Sequence, residues 1–198
     1  HNQYRTMQAM GAAVVKVAVT ATRLCDLLPL LEIGQTTTDQ DRVVVIGMGV
    51  PGLASRILAS RFGSCWTYVG NAAPGQVDVD QMLEHFRYRN LTSNTEVFGV
   101  VGNPISHSIS PALHNASFAE QQRDAVYLPL EAYDVADFVR FAKALSIKGA
   151  SITAPFKQTM LTQVKKTDSA ARLIGAVNTI RRDSDCWSGI NTDAEGFL

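Results

Sequence analysis

The chain has 198 residues, a length that allows one large domain or two modest ones. Hydrophobic residues make up 46% and charged residues 18% of the sequence, so the chain can bury a core and disorder is not expected. The 18 Lys and Arg residues balance 18 Asp and Glu residues, which argues against a nucleic-acid binder or a membrane-surface binder, because both need a basic excess. No apolar run approaches the ~20 residues of a membrane span.

The cysteines predict a reducing compartment. Cys25, Cys65 and Cys186 are odd in number, widely spaced and without a CxxC pair, so we expect neither a disulfide framework nor a zinc site. The N-terminus also lacks the charged and apolar regions of a signal peptide. A cytoplasmic location is expected, or a plastid if the source is a plant.

The first half of the chain has the pattern of β/α units. Apolar and β-branched runs predict buried strands, and the segments between them predict helices. The predicted strands are 12–19, 42–46 and 65–69, and the predicted helices are 24–33, 53–62 and 79–87. These make about three units, whereas an eight-fold barrel needs eight.

A polar, non-periodic segment at 90–95 is the best candidate linker, and the β/α pattern restarts after it. The predicted strands are now 97–101, 126–130 and 149–153, and the predicted helices are 110–121 and 135–145. Ser110 and Pro111 suit the first two positions of a helix. Two domains are therefore expected, 1–90 and 96–198, meeting near residue 93.

Residues 47–52 read G-x-G-x-x-G after a strand and before a helix, which is the pattern of a dinucleotide-binding turn. Such a site needs an acidic residue about 20 positions later, at the end of the next strand, to hold a ribose. Residues 68–72 contain no acid. The pattern therefore favours a glycine-rich loop without a nucleotide.

Lys16 lies within the otherwise apolar segment 12–19. On a buried strand a lysine loses solvation, which favours the neutral, nucleophilic amine that a Schiff base requires. A lysine on an edge strand can instead serve to block aggregation, and the isolated pattern favours this second interpretation.

The surroundings of Lys16 resemble those of the active-site lysine in type I 3-dehydroquinate dehydratases. The resemblance extends over segments 11–18, 48–56, 62–64 and 73–76, in the order found in that family. It implies a partial (β/α)8 barrel in which Lys16 forms an imine with the substrate ketone. It also implies that Arg56 binds the substrate carboxylate and that Gln76 belongs to the substrate loop.

Two departures from this family are visible. Ala72 stands where the family has a serine. His1-Asn2 matches the histidine of the family's catalytic base, but the family separates that histidine from the lysine by clearly more positions than separate His1 from Lys16. Either residues are absent between Asn2 and Gln3, or the match of His1 is accidental.

The second half carries polar residues at four strand-to-loop junctions, in segments 103–111, 151–157, 175–179 and 189–193. Ser108 and Ser110 beside a helix N-terminus can form a carboxylate cradle, or Ser110 can simply cap the helix. A lone Lys157 or Asp193 would be ordinary surface. Four such segments in order make a purely solvated surface a poor interpretation.

These segments resemble the substrate-binding domain of shikimate dehydrogenases over about residues 96–198. The motifs N-P-I-x-H-S-x-S-P, T-x-P-F-K, G-A-V-N-T and N-T-D all occur. The resemblance implies an α/β substrate domain in which Lys157 and Asp193 are the catalytic pair and in which a proton reaches the developing alkoxide. It further implies that Ser108 and Ser110 hold the carboxylate and that Thr153 and Asn178 hold hydroxyls.

Three further residues of this half are candidates for ligand binding or acid–base roles. Ser151 stands where many relatives have an asparagine, which weakens one expected hydroxyl contact. His107 and His114 could act as acid or base, but the histidine of the H-S-x-S pattern is structural in the family, and a structural role is favoured for both.

Together the two resemblances point to a bifunctional dehydroquinate dehydratase–shikimate dehydrogenase. They imply NADP as cofactor, 3-dehydroquinate, 3-dehydroshikimate and shikimate as ligands, no metal, no nucleic acid or membrane partner, and compatibility with a homo-oligomer. The NADP-binding Rossmann domain of the family is expected after Leu198 and is not in this sequence. The alternative is a catalytically silent, ligand-sensing homologue such as a fungal quinate-pathway repressor.

Overall fold

A short parallel strand pair organises the first half of the computed structural model, which describes residues 2–37, 42–72, 75–184, 186–193 and 196. Strand β1 (Val15–Thr20) pairs with β2 (Val43–Met48), so that Lys16 lies opposite Val44. The helices of this half are α1 (Asn2–Ala9), α2 (Leu28–Thr36) and α3 (Leu53–Ile57). Single 3₁₀ turns at Leu24–Leu27 and Tyr88–Asn90 and a π-helical turn at Gln81–His85 complete it.

Two predictions for this half are wrong. Residues 65–69 do not form a strand: Ser64 makes an isolated bridge to Val43, and only the Cys65 amide continues it, with a hydrogen bond of 2.9 Å to the Val43 carbonyl. The segment 12–19 is not fully buried either. Within β1, Val15 is buried and Val17 and Val19 are partly buried, whereas Lys16 and every second residue after it are exposed, so one face of the strand is covered more than the other.

The glycine turn between β2 and α3 packs against itself. A Cβ atom on Gly52 would lie 2.4 Å from the carbonyl carbon of Gly47, and Gly49 has a φ of +88° that disfavours other residues. The Ser55 hydroxyl accepts a hydrogen bond from the Gly47 amide at 2.8 Å and donates one to the Gly52 carbonyl at 2.7 Å. The glycines thus serve close packing of this turn.

The second half is built on a six-stranded sheet with the order β4-β3-β5-β7-β8-β6. Its strands are β3 (Glu96–Gly102), β4 (Ala125–Glu131), β5 (Gly149–Ile152), β6 (Val164–Thr167), β7 (Thr179–Asp183) and β8 (Cys186–Ile190). Only β7 runs antiparallel to its neighbours. The carboxyl ends of β3, β5 and β8 and the start of β7 therefore lie at one edge of the sheet.

Helices α4 (Ser110–Glu120), α5 (Val135–Ala144) and α6 (Ser169–Ile174) connect these strands. Asp134 caps α5 and Asp168 caps α6 by accepting hydrogen bonds from backbone amides. Ser110, predicted as a cap, is the first residue of α4, and the residue at the N-cap position is Ile109, whose side chain makes no capping hydrogen bond. Ser110 is therefore not used as a capping residue.

The two halves are joined by buried polar contacts as well as by apolar packing. The Asp137 carboxylate accepts hydrogen bonds from the amides of Leu24 (3.0 Å) and Cys25 (2.8 Å). Arg61 donates to the carbonyl groups of Leu145 (2.7 Å) and Thr95 (2.6 Å). Buried apolar side chains of both halves form one continuous cluster.

The predicted α/β class is confirmed, and the parallel pair β1–β2 fits the expected partial barrel. Within the ranges described, no helix is long and apolar enough to cross a membrane.

Candidate active site

A cavity of about 440 Å³ opens at the edge of the large sheet where β3, β5 and β8 end. All six residues that the sequence predicts for the second half line it, although they come from four separate segments of the chain. They are Ser108, Ser110, Thr153, Lys157, Asn178 and Asp193. The cavity wall also includes His107, Ser151 and Thr192.

The ion pair between Lys157 and Asp193 lies at this cavity. The Lys157 Nζ atom donates to Oδ2 of Asp193 at 2.6 Å, and the two side chains are 38% and 56% exposed. Hydrogen bonds from Lys157 and then from Asn178 hold the pKa of Asp193 below its ordinary value. Asp193 is therefore a carboxylate near neutral pH, and the lysine that it holds remains accessible to a ligand.

Asn178 connects the start of β7 to the end of β8. Its Nδ2 atom donates to Oδ1 of Asp193 at 2.7 Å and to the Thr192 hydroxyl at 2.9 Å, and its Oδ1 accepts from the Thr192 amide at 3.1 Å. The buried Asn191 adds a contact, because its Oδ1 accepts from the Asp193 amide at 3.1 Å. Asp193 is thus held from both its side chain and its backbone.

The two serines lie on the loop that leaves β3. The Ser110 amide donates to the Ser108 hydroxyl at 3.3 Å. The loop is tied to the end of β4, since the Ile105 amide donates to the Glu131 carboxylate at 3.2 Å and Asn103 donates to the Ala132 carbonyl at 3.1 Å. The serine hydroxyls are thereby presented from an anchored loop.

Thr153 follows β5 directly and faces the same cavity. Its amide donates to the Val101 carbonyl at 2.9 Å, and its carbonyl accepts from the Phe156 amide at 2.9 Å. These bonds form the turn that carries the chain from Thr153 to Lys157. Hydroxyls, an amide and one ammonium group in a shared cavity suit a polyhydroxylated ligand that carries a negative charge.

The residues predicted for the first half are only partly brought together. Lys16 Nζ lies 4.2 Å from the ring centroid of Tyr68, and Nη1 of Arg56 donates to the Tyr68 carbonyl at 3.3 Å. Both cations therefore contact Tyr68. Arg56 is buried, which lowers its pKa, and its Nε is one of the buried described atoms without a hydrogen-bond partner.

Gln76 lines a second cavity of about 330 Å³ between the halves, and its Oε1 lies 3.5 Å from the place that a Cβ atom on Gly70 would take. That cavity also includes Ser106 and Ser108 of the loop after β3, whereas Lys16 and Arg56 line neither cavity. His1 lies outside the described residues, as do Ala73 and Pro74 beside Gln76.

Some residues at these sites were not predicted from the sequence. Thr192 belongs to the quoted N-T-D motif but was given no role, and it is bonded to Asn178. Tyr68 was assigned only to a strand. Tyr127, which bonds to the cavity residue Ser151 at 2.7 Å, gave no signal because a tyrosine in an apolar strand resembles any core residue. Among the described residues, no group of three His, Cys, Asp or Glu side chains suits a metal ion.

Comparisons with known proteins assign the two halves separately. Residues 1–93 match the type I 3-dehydroquinase family, and residues 100–180 match the shikimate dehydrogenase substrate binding domain. The chloroplastic bifunctional 3-dehydroquinate dehydratase/shikimate dehydrogenase of Arabidopsis thaliana is 37% identical over an alignment that covers 97% of this chain and 33% of that protein. The chain thus spans about a third of this relative's length.

Two further relatives match the second half. The shikimate dehydrogenase (NADP(+)) of Bacillus subtilis is 41% identical over 52% of this chain and 38% of its own. The crystal structure of shikimate 5-dehydrogenase from Listeria monocytogenes, in complex with shikimate and NAD, is 37% identical with a TM-score of 0.52 and covers 54% of this chain and 38% of that one. The first half of the chain is therefore similar to the type I 3-dehydroquinase family, and the second half is similar to the substrate binding domain of the shikimate dehydrogenase family.

Proposed function

We propose that this chain supplies the substrate-binding and proton-transfer residues of a bifunctional shikimate-pathway enzyme. The enzyme dehydrates 3-dehydroquinate to 3-dehydroshikimate and reduces that ketone to shikimate with NADPH. The observation that carries the proposal is the Lys157–Asp193 pair, 2.6 Å apart, in a cavity shared with the serine, threonine and asparagine side chains expected to hold the substrate.

In the reductase half, Ser108 and Ser110 bind the substrate carboxylate, and Thr153 and Asn178 bind ring hydroxyls. Lys157 donates the proton that the developing alkoxide needs and stabilises its negative charge. Asp193 keeps the ammonium group in place. The half-exposed position of this pair supports the role, because a ligand can reach Nζ without displacing the carboxylate.

NADPH supplies the hydride in this reaction when it is bound. The glycine turn at 47–52 lacks the partner that a dinucleotide site needs, because the chain at 68–72 offers no acid to hold a ribose. We therefore place no cofactor contact on the described residues.

In the dehydratase half, the Lys16 amine condenses with the ketone of 3-dehydroquinate and releases water, and the resulting iminium favours loss of a proton from the adjacent carbon. Arg56 binds the carboxylate, Gln76 closes over the substrate, and His1 is the candidate base. The Nε donor of the buried Arg56 has no hydrogen-bond partner, and a bound carboxylate would supply one, which supports this part.

The experiment for the reductase half is calorimetric titration of the chain with shikimate. We expect binding that weakens at least tenfold in the S108A and S110A variants, because a carboxylate loses a charge-assisted hydrogen bond. Ser117→Ala is the matched control, since Ser117 lies on the exposed face of the same helix, outside the cavity. Unchanged affinity in both cavity variants would contradict the assignment.

The dehydratase half is tested by borohydride reduction in the presence of 3-dehydroquinate. A covalent adduct should appear in the intact mass of the chain and map to Lys16, and Lys16→Arg should abolish it. Absence of any adduct on the unaltered chain would exclude this chemistry. Shikimate binding without an adduct would instead favour the alternative, a ligand sensor. Ala72 and Ser151, at which the sequence departs from the two families, are compatible with that alternative.

A further inference from the structure

A buried tyrosine that does not line the proposed reductase cavity makes a hydrogen bond to a residue that does. Ser151 of β5 lines the cavity, and the Tyr127 hydroxyl of β4 donates to the Ser151 Oγ atom at 2.7 Å. Tyr127 is only 4% exposed and does not line the cavity itself. The contact reaches across the intervening strand β3, which pairs with both β4 and β5.

Tyr127 is held in place on several sides. The Asn115 side chain donates to the Tyr127 carbonyl at 2.9 Å and accepts from its amide at 2.8 Å. The His114 ring stacks on the phenol ring, with 4.2 Å between centroids and 16° between planes. Val100 and Ile105 pack with Tyr127 in a small apolar cluster. These contacts fix the position of the phenol oxygen.

The direction of the hydrogen bond follows from burial. A buried phenol that does not donate its proton loses the hydrogen bonds that it would make in water, which costs free energy. The Tyr127 hydroxyl avoids this cost by donating to the Ser151 oxygen. Burial also raises the pKa of Tyr127, so the phenol keeps its proton near neutral pH. A serine hydroxyl has one proton, and when its oxygen accepts from Tyr127 that proton is available to a different acceptor.

We propose that Tyr127 is a positioning residue that directs the Ser151 hydroxyl proton into the cavity, where it is donated to an oxygen of the bound ligand. This inference rests on the proposed reductase function and adds a preference for the ligand group that binds beside Ser151. The ligand group that takes this proton is an acceptor, which means a carboxylate, carbonyl or hydroxyl oxygen, and the Tyr127 bond uses one of the two lone pairs with which Ser151 could otherwise accept from a ligand. An asparagine at the same place could donate or accept, so the serine–tyrosine pair is the stricter arrangement.

The test is a double-mutant cycle on shikimate affinity, measured by calorimetry with the wild-type chain, Tyr127→Phe, Ser151→Ala and the double variant. We expect Ser151→Ala to weaken binding about fivefold to tenfold and Tyr127→Phe about threefold to fivefold. The double variant should bind no more weakly than Ser151→Ala alone, because Tyr127 acts only through Ser151. Tyr133→Phe is the matched control, since that exposed tyrosine lies away from the cavity and is expected to leave affinity unchanged.

The outcomes separate this inference from the function on which it rests. Failure of the wild-type chain to bind shikimate would overturn both. Wild-type binding with additive losses in the double variant would overturn only the positioning role, because Tyr127 would then act on the cavity independently of Ser151. Thermal unfolding of each variant, recorded beside its affinity, shows whether a lost contact has changed folding or only binding.

Discussion

At the scale of single residues, Asp193 shows why a half-exposed ion pair can still be a fixed feature. An isolated pair at a surface contributes little to stability because water and salt screen it. Here the carboxylate accepts from Lys157 on one oxygen and from Asn178 on the other, at 2.6 Å and 2.7 Å. The geometry is thus set by two donors from different segments of the chain, the turn after β5 and the residue before β7, and the ammonium group has a defined position.

The pKa of Asp193 gives the first prediction. It should lie below the ~3.9 of an unperturbed aspartate, and it should rise in Lys157→Ala, with a smaller rise in Asn178→Ala because the lysine bond is the larger cause. Carboxyl-carbon NMR against pH measures it. The depressed folded pKa adds stability that is present above the unfolded value and is lost as the pH falls through the folded value. An unchanged pKa in Lys157→Ala would contradict the pairing.

The residues that line the 440 Å³ cavity could be predicted because they stand where strands meet loops. Ser108, Thr153 and Asp193 each follow a strand that runs in the same direction, so the topology brings them to one edge. The exposure of Lys16 agrees with the edge-strand interpretation and not with the buried one, since an apolar run does not reveal which face of its strand is covered. Tyr127 was missed because its role depends on a partner 24 positions away.

At the scale of secondary-structure elements, continuous apolar runs were sufficient for β3, β4 and β5. The strands β6, β7 and β8 were missed because they are short and carry polar residues, as in the Arg181-Arg182 pair of β7 and the Lys165-Lys166 pair of β6. Their regularity comes from pairing with neighbours, a non-local cause. The converse error is segment 65–69, whose apolar residues lack a partner strand beyond a single bridge.

The second prediction concerns the first turn of α5. Asp137 is buried there and accepts hydrogen bonds from the amides of Leu24, Cys25 and Tyr133. Asp137→Ala should leave these donors without partners and lower the free energy of unfolding by about 2–4 kcal/mol. Chemical denaturation measures it, and Asp134→Ala, which removes only a helix cap, should cost about 1 kcal/mol. Equal losses in the two variants would contradict a special role for Asp137.

At the scale of the whole molecule, the two halves of the chain, which match different sequence families, pack against each other. Arg61 reaches from the first half to three carbonyl groups, those of Ser93, Thr95 and Leu145, and the apolar cluster runs through both halves. The linker predicted at 90–95 is therefore partly held by hydrogen bonds. A change of sequence family along the chain need not be a boundary between independently folding units.

The third prediction is that both halves unfold in one transition. Trp66 reports on the first half and Trp187, which is buried on β8, reports on the second. Fluorescence of the variants Trp187→Phe and Trp66→Phe, followed against denaturant, should give coincident midpoints once each is corrected for its own stability. Two separated midpoints within a single variant, seen when fluorescence is compared with circular dichroism, would show that the halves unfold independently.

The loop between β3 and α4 has a consequence for the two cavities. Ile105 and Ser108 belong to the lining of both, so this loop is a common wall with Lys157 and Asp193 on one side and Gln76 on the other. Any substitution that displaces this wall enlarges one chamber at the expense of the other. A substitution in this loop that makes one cavity larger is therefore expected to change the shape of the other cavity as well.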